Sequence, residues 1–260
     1  MKRSSGVRLC AGAAVSVLSL ALVTGCSQGS KDSGGGKGTD GKPAAKALGT
    51  AELKKLVIAD GDVPGFDVGA VPAGRAKPIT TDSAECRPLA RVLSMQPPAG
   101  TATQADRMAT EKQAKDPTDD ATSLDDMADG KFADALNKSM DRDVTSVSLF
   151  SYDGDGATKA LAAVSSAVKA CAGGFTGKQA GTTAKFADVQ QSKPTAAGDE
   201  SVAFAIVTED DGDKAPVHGE VVRHGNTLAS YYTINLGAMM AKKPYAVSPA
   251  VVKAQAAKLK

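Results

Sequence analysis

The chain of 260 residues has no tryptophan, and its other large aromatics are 6 Phe and 4 Tyr. That excludes a pronounced aromatic platform of the kind used to hold sugars. It also obliges a core made of Leu, Val, Ile and small side chains. Histidine is nearly missing, at two residues, and no constellation of Ser, Cys, His and carboxylate emerges as an active site. Excess charge is missing too: from Leu48 onward 24 Lys and Arg stand against 27 Asp and Glu. A mildly acidic domain without clustered cations excludes nucleic acid as a partner, because affinity for phosphate needs them. The uncharged run from Leu9 to Val23 is about fifteen residues, short of the roughly twenty that a membrane-crossing helix needs, so a retained transmembrane anchor is not expected. No internal repeat is present.

What is present begins with an address. Lys2, Arg3 and Arg8 precede an apolar stretch containing Val15, Leu18, Leu20 and Leu22, a basic region followed by a hydrophobic one as in an export signal. The stretch ends in Leu22-Val23-Thr24-Gly25-Cys26, which resembles the lipobox of bacterial lipoproteins. The resemblance implies that residues 1–25 are a signal peptide cut before Cys26. It also implies that Cys26 is lipidated on its thiol with diacylglycerol and often acylated on the new amino terminus, with palmitate-type chains. Two or three acyl chains, at about 0.8 kcal/mol per buried methylene, hold a protein stably where one is marginal. The partner implied is the cell membrane, and the location its extracytoplasmic face. From Ser27 to Ala47 the chain is Gly, Ser, Lys, Asp, Thr, Pro and Ala around Gly34-Gly35-Gly36. Such a segment buries too little apolar surface to offset ordering, so 26–47 is expected to be a flexible linker and 48–260 the folded domain.

Of four cysteines, Cys10 falls in the leader and Cys26 is the expected lipid site. An exported domain left with Cys86 and Cys171 suggests one disulfide. Closing a loop of that length is worth roughly 4 kcal/mol in the chain-entropy model.

Periodicity outlines the domain. Thr50 is expected to cap a helix through Leu53, Leu56, Val57 and Ile58 that ends before Pro64-Gly65. Cys86, Leu89, Ala90 and Leu93 fall at helical spacing, with Cys86 on the apolar stripe. Residues 96–130, with Pro97-Pro98 and six aspartates between Asp116 and Asp129, read as an irregular, polar surface excursion. Val144 to Tyr152 reads as a strand. Asp153-Gly154-Asp155-Gly156 then turns into a helix striped by Leu161, Val164, Val168 and Cys171 and stopped by Gly173-Gly174. Val202, Phe204 and Ile206 alternate as in a strand; Val217 to His224 runs back, and Gly225-Asn226 is a two-residue hairpin turn into Thr227 to Leu236. In that register Val217, Val221, Leu228, Tyr232 and Ile234 share the core face. Ser248-Pro249 opens a C-terminal helix. The expected class is α+β, an antiparallel sheet with helices packed on one side.

Several motifs fail on context. Gly25 to Gly29 spells a hydrolase nucleophile elbow, but cleavage would remove its first glycine. Ser166-Ala167-Val168-Lys169 fits S-x-x-K, yet lies inside a helix without its companion motifs. Gly36 to Pro43 approaches a phosphate-binding loop, with Pro43 where a hydroxyl residue is needed. The hairpin register puts His218, His224, Glu220 and Tyr231 on one outward face. His218 and Glu220 could share a metal, but no third ligand is identifiable, so polar residues on a solvated face are the favoured reading. The aspartates fit no calcium loop. No cofactor is implied.

Past the linker the chain resembles actinobacterial lipoproteins related to the extracellular sensor domain of a receptor Ser/Thr kinase. The resemblance rests on Asp62-Val63-Pro64-Gly65-Phe66 after an early helix, the helices carrying Cys86 and Cys171, Gly198-Asp199-Glu200-Ser201 before a strand, and Val222-Arg223-His224-Gly225-Asn226 in a late hairpin. It implies an antiparallel sheet with helices framing a cleft and a ligand-binding role. The family usually has two disulfides, and this domain has cysteines for one. The leading expectation is therefore a non-enzymatic, tethered binding or sensor-like domain for a small molecule or an envelope protein. A cell-envelope hydrolase and a structural or assembly partner of envelope proteins are the alternatives.

Overall fold

A computed structural model describes residues 45–113, 131–195, 197–210 and 212–260. The expected leader, Cys26, most of the linker, the phosphate-loop-like segment and the six aspartates lie outside the described residues. The elements, in chain order, are α1 (Thr50–Leu56), β1 (Phe66–Gly69), β2 (Ile79–Thr80), α2 (Arg87–Leu93), β3 (Thr103–Glu111), α3 (Lys131–Met140), β4 (Val144–Ser151), α4 (Gly156–Ala170), β5 (Phe175–Gln179), β6 (Thr182–Ser192), β7 (Glu200–Asp210), β8 (Asp213–His224), β9 (Thr227–Ile234), α5 (Leu236–Met240) and α6 (Pro249–Lys258).

The strands form one sheet in the order β1-β3-β4-β9-β8-β7-β6-β5-β2, and every described pairing is antiparallel. The domain is thus α+β, a large antiparallel sheet with helices against it. On one face α2 and α4 bury Leu89, Leu93, Leu161 and Val164 against Phe150, Phe204, Ile206 and Leu228. The opposite face is covered as well, by α1, the Val57 that follows it, and α6: Leu53, Val57, Val251 and Val252 meet Val147, Leu149, Val222 and Tyr231. Alternation along β4, β8 and β9 sends successive side chains into these two cores.

The β7-β8-β9 meander follows the expected hairpins. His224 pairs with Thr227 across Gly225-Asn226, and Gly225 has φ 60°, as a two-residue turn with glycine first requires. Val217, Val221 and Leu228 lie in the α2/α4 core, with Tyr232 and Ile234 packed against it. Three local expectations change. The cap of α1 is Gly49 rather than Thr50: the Gly49 N–H donates to Glu52 Oε2 at 2.7 Å and the Gly49 carbonyl accepts from Leu53 N–H at 3.0 Å. That helix stops at Leu56 because Gln255 of α6, wholly buried, intervenes. Gln255 Oε1 accepts from Ile58 N–H and its Nε2 donates to the Leu56 carbonyl, each at 2.9 Å. Finally, Thr103–Glu111 is a strand between β1 and β4, not irregular chain. Its deeply buried positions are Ala105 and Ala109, small enough to pass for polar surface sequence.

Candidate functional site

Sheet curvature creates the candidate site. Neighbouring strands lie about 4.8 Å apart, so β4 and β2, six places apart in the strand order, would stand roughly 29 Å apart if the sheet were flat. Yet Ser146 of β4 and Ile79 of β2 line one cavity of about 260 Å³. The sheet therefore curls, and the cavity lies in its concave face.

The end of α2 forms one wall. Met95 N–H donates to the Val92 carbonyl at 3.0 Å and Gln96 N–H to the Arg91 carbonyl at 2.8 Å. These two bonds terminate a helix with the intervening residue left-handed, a position that favours glycine. Here it is Met95, at φ 56°. Its side chain is buried in the cleft wall and its carbonyl accepts from Gln104 Nε2 at 2.8 Å, and this packing holds a conformation disfavoured by about 1–2 kcal/mol. The start of the same helix is tied down by sulfur: Cys86 caps α2, Cys171 caps the end of α4, and their Sγ atoms are bonded, with Cα atoms 5.8 Å apart.

Over the apolar lining of Ile79, Leu93 and Phe186 converge four polar side chains: Arg75, Ser146, Gln179 and Tyr232. Phe186 is braced by Phe175, ring centroids 4.5 Å apart. Gln179 Nε2 donates to the Lys77 carbonyl at 2.7 Å, which fastens the loop bearing Arg75 to β5. Among the described residues no carboxylate pairs with Arg75. Burial pushes the Tyr232 phenol up to about 12, with the nearby Arg75 charge pulling the other way. Gly219, across from Tyr232 on β8, leaves room beneath for Phe204, since a Cβ there would come within 2.5 Å of that ring. The arrangement can hold an anionic or acceptor group at Arg75 and Tyr232 and an apolar body beneath. None of the four polar residues was expected at a site: Tyr232 was placed only on the core face, and Arg75, Ser146 and Gln179 carried no signal of their own.

His218 and Glu220, the weak metal candidates, share a different cavity of about 420 Å³ with Thr195 and Tyr245. They lie on one face of the sheet with Tyr231 of β9, as the register requires, but that face is covered. Glu220 is 1% exposed and Tyr231 0%, so the solvated face expected from their polarity is a buried one. Glu220 Oε1 accepts from Thr195 N–H and Oγ1, both at 2.9 Å. Burial holds the Glu220 carboxyl above the usual range despite those bonds, and burial lowers His218. The Tyr231 hydroxyl, cross-strand from Glu220, is buried without a partner among the described residues, and burial followed by the Glu220 charge pushes it up. The His218 ring meets Tyr245 edge-on at 4.6 Å, and the Tyr245 hydroxyl donates to the Pro216 carbonyl. His224 lines a third cavity, of about 290 Å³, with Asp199 and Lys260, so the two histidines are not brought together. Among the described residues no group of three ligating side chains could hold a metal ion. Ser166 and Lys169 lie exposed on α4.

Compared with known proteins, the chain matches no family model and no curated protein. Among solved structures it is similar to the extracellular domain of PknH from Mycobacterium tuberculosis. The TM-score is 0.47 at 14% identity, over 82% of this chain and 95% of that one. Among the described residues no helix is long and apolar enough to cross a membrane.

Proposed function

We propose that this chain is an exported lipoprotein, acylated at Cys26 and held on the extracytoplasmic face of the cell membrane, whose domain binds a ligand in the concave cleft without transforming it. The anchor reading is supported by the basic and apolar leader ending in Leu22 to Cys26. The bonded Cys86 and Cys171 suit an oxidising compartment. The ligand reading is carried by one observation: Arg75, Ser146, Gln179 and Tyr232, drawn from a loop and three strands, converge over one apolar floor. A site of that make-up recognises a small molecule with an apolar body and an anionic or strongly accepting group.

The test is mass spectrometry of small molecules that co-purify with the chain, comparing the unaltered protein with Arg75→Ala. A bound molecule present in the first and depleted in the second supports the reading. A molecule retained equally by both, or none after isolation from the native envelope, overturns it. For the anchor, Cys26→Ser is expected to release the domain or leave unprocessed precursor. Normal processing and membrane retention in that variant would refute lipidation.

A further inference from the structure

We propose that the pocket holding Glu220 and His218 is a second binding site, for a small organic ammonium group carried on a short apolar body. It stands apart from the cleft reading, because the two cavities share no lining residue.

The argument begins with what Glu220 lacks. Its side chain is buried at the base of the cavity. Thr195 fixes one carboxyl oxygen with two hydrogen bonds, while Oε2 has no hydrogen-bond partner among the described residues. No Lys, Arg or His there forms an ion pair with it. A buried carboxylate without a counterion is costly, and the usual remedy is a cation or a further donor. Lys193 does not serve: it stands exposed on the rim, where water and salt screen it. Burial accordingly holds the carboxyl above its ordinary range.

The walls say which cation fits. Ala203, Val247, Pro194 and Pro249 are apolar, and the Tyr245 ring forms part of the lining. Among the described residues a divalent metal would find only Glu220 and His218 as ligands. An ammonium needs less: one N–H to Glu220 Oε2 and an aromatic face, which Tyr245 supplies by cation–π attraction. Its alkyl portion would cover Val247 and Pro249, displacing water from apolar surface. A volume of about 420 Å³ sits at the small end of ligand pockets, suiting a ligand with few carbons.

The test is an NMR titration of the full chain with n-butylammonium, following the Tyr245 and His218 ring signals, with n-butanol as the neutral counterpart. The expected outcome is saturable binding of the amine with a Kd on the order of 1 mM, and binding of the alcohol at least about tenfold weaker. Glu220→Gln should bring the amine down to the alcohol's level, and Arg75→Ala should leave it unchanged, which separates this site from the cleft. Equal binding of amine and alcohol, no saturable shift at these rings, or undiminished amine binding by Glu220→Gln would each overturn the proposal. Should that variant fail to fold, the amine-to-alcohol ratio on the unaltered chain decides alone, and a ratio near one refutes the site.

Discussion

Replacing Gln255 by methionine keeps the length of the side chain and removes two hydrogen bonds where α6 closes the end of α1. The Ile58 N–H loses its acceptor in a residue that is 0% exposed. No water reaches it, so the full cost of an unsatisfied buried donor applies, about 1–3 kcal/mol. The Leu56 carbonyl loses the Nε2 donor, but Leu56 is only partly buried, so its loss is about 0.5–1 kcal/mol. Methionine fills nearly the same volume and needs no partner, which recovers a part. The net expectation is about 2–3 kcal/mol of lost stability. In a domain of this size that lowers Tm by roughly 5–10 °C, measured by circular dichroism with urea unfolding as an independent scale. Gln255→Glu adds a control: its ionised form can accept from Ile58 but not donate to Leu56, so its deficit should shrink on acidification. A Tm within about 2 °C of the parent for Gln255→Met would refute the reasoning, since it would mean the two backbone groups find other partners.

Three further outcomes follow from separate features. The turn between β5 and β6 consists of Ala180 and Gly181 with φ 51° and 88°, a geometry that suits Asn-Gly; Ala180→Asn should raise stability by about 0.5–1 kcal/mol, and a loss in urea unfolding would count against that assignment. Cys86 and Cys171 are 85 residues apart, so reducing their bond should cost about 4 kcal/mol in the chain-entropy model; equal unfolding midpoints for oxidised and reduced protein, or two free thiols in the native protein, would contradict it. Burial raises the Glu220 carboxyl above its unfolded value of about 4.3. An acid so shifted binds protons more tightly when folded, so its contribution is intact below that unfolded value and is lost as pH rises through the folded one. Glu220→Gln should therefore exceed the parent in stability at neutral pH, with the gap closing toward pH 4, and a gap independent of pH would rule this out.

Elements whose evidence is local were legible in the sequence. The stripe of Leu161, Val164 and Val168 marks α4, and alternation with Gly225-Asn226 gives the β8-β9 register. Period assigns His218, Glu220 and Tyr231 to a common face, but it carries no information about what lies on that face. The helices that cover it come from the two ends of the domain, α1 and α6. Strand β3 escaped notice because a strand buried through Ala105 and Ala109 lacks the bulky alternation that announces one. The cleft was out of reach for a different reason. Ser146 and Tyr232 are cross-strand partners on β4 and β9, but Arg75 and Gln179 reach them only because the sheet curls, and curvature belongs to the assembled sheet rather than to any stretch of chain.

The two outermost strands of the sheet, β1 and β2, are four and two residues long, whereas the eleven- and twelve-residue strands β7 and β8 lie well inside it. An outer strand is where a foreign chain can add itself by backbone pairing, and brevity at that position limits such templating. Wherever many copies of the domain meet, this is protection against fibrous self-association, achieved by the placement of strands alone.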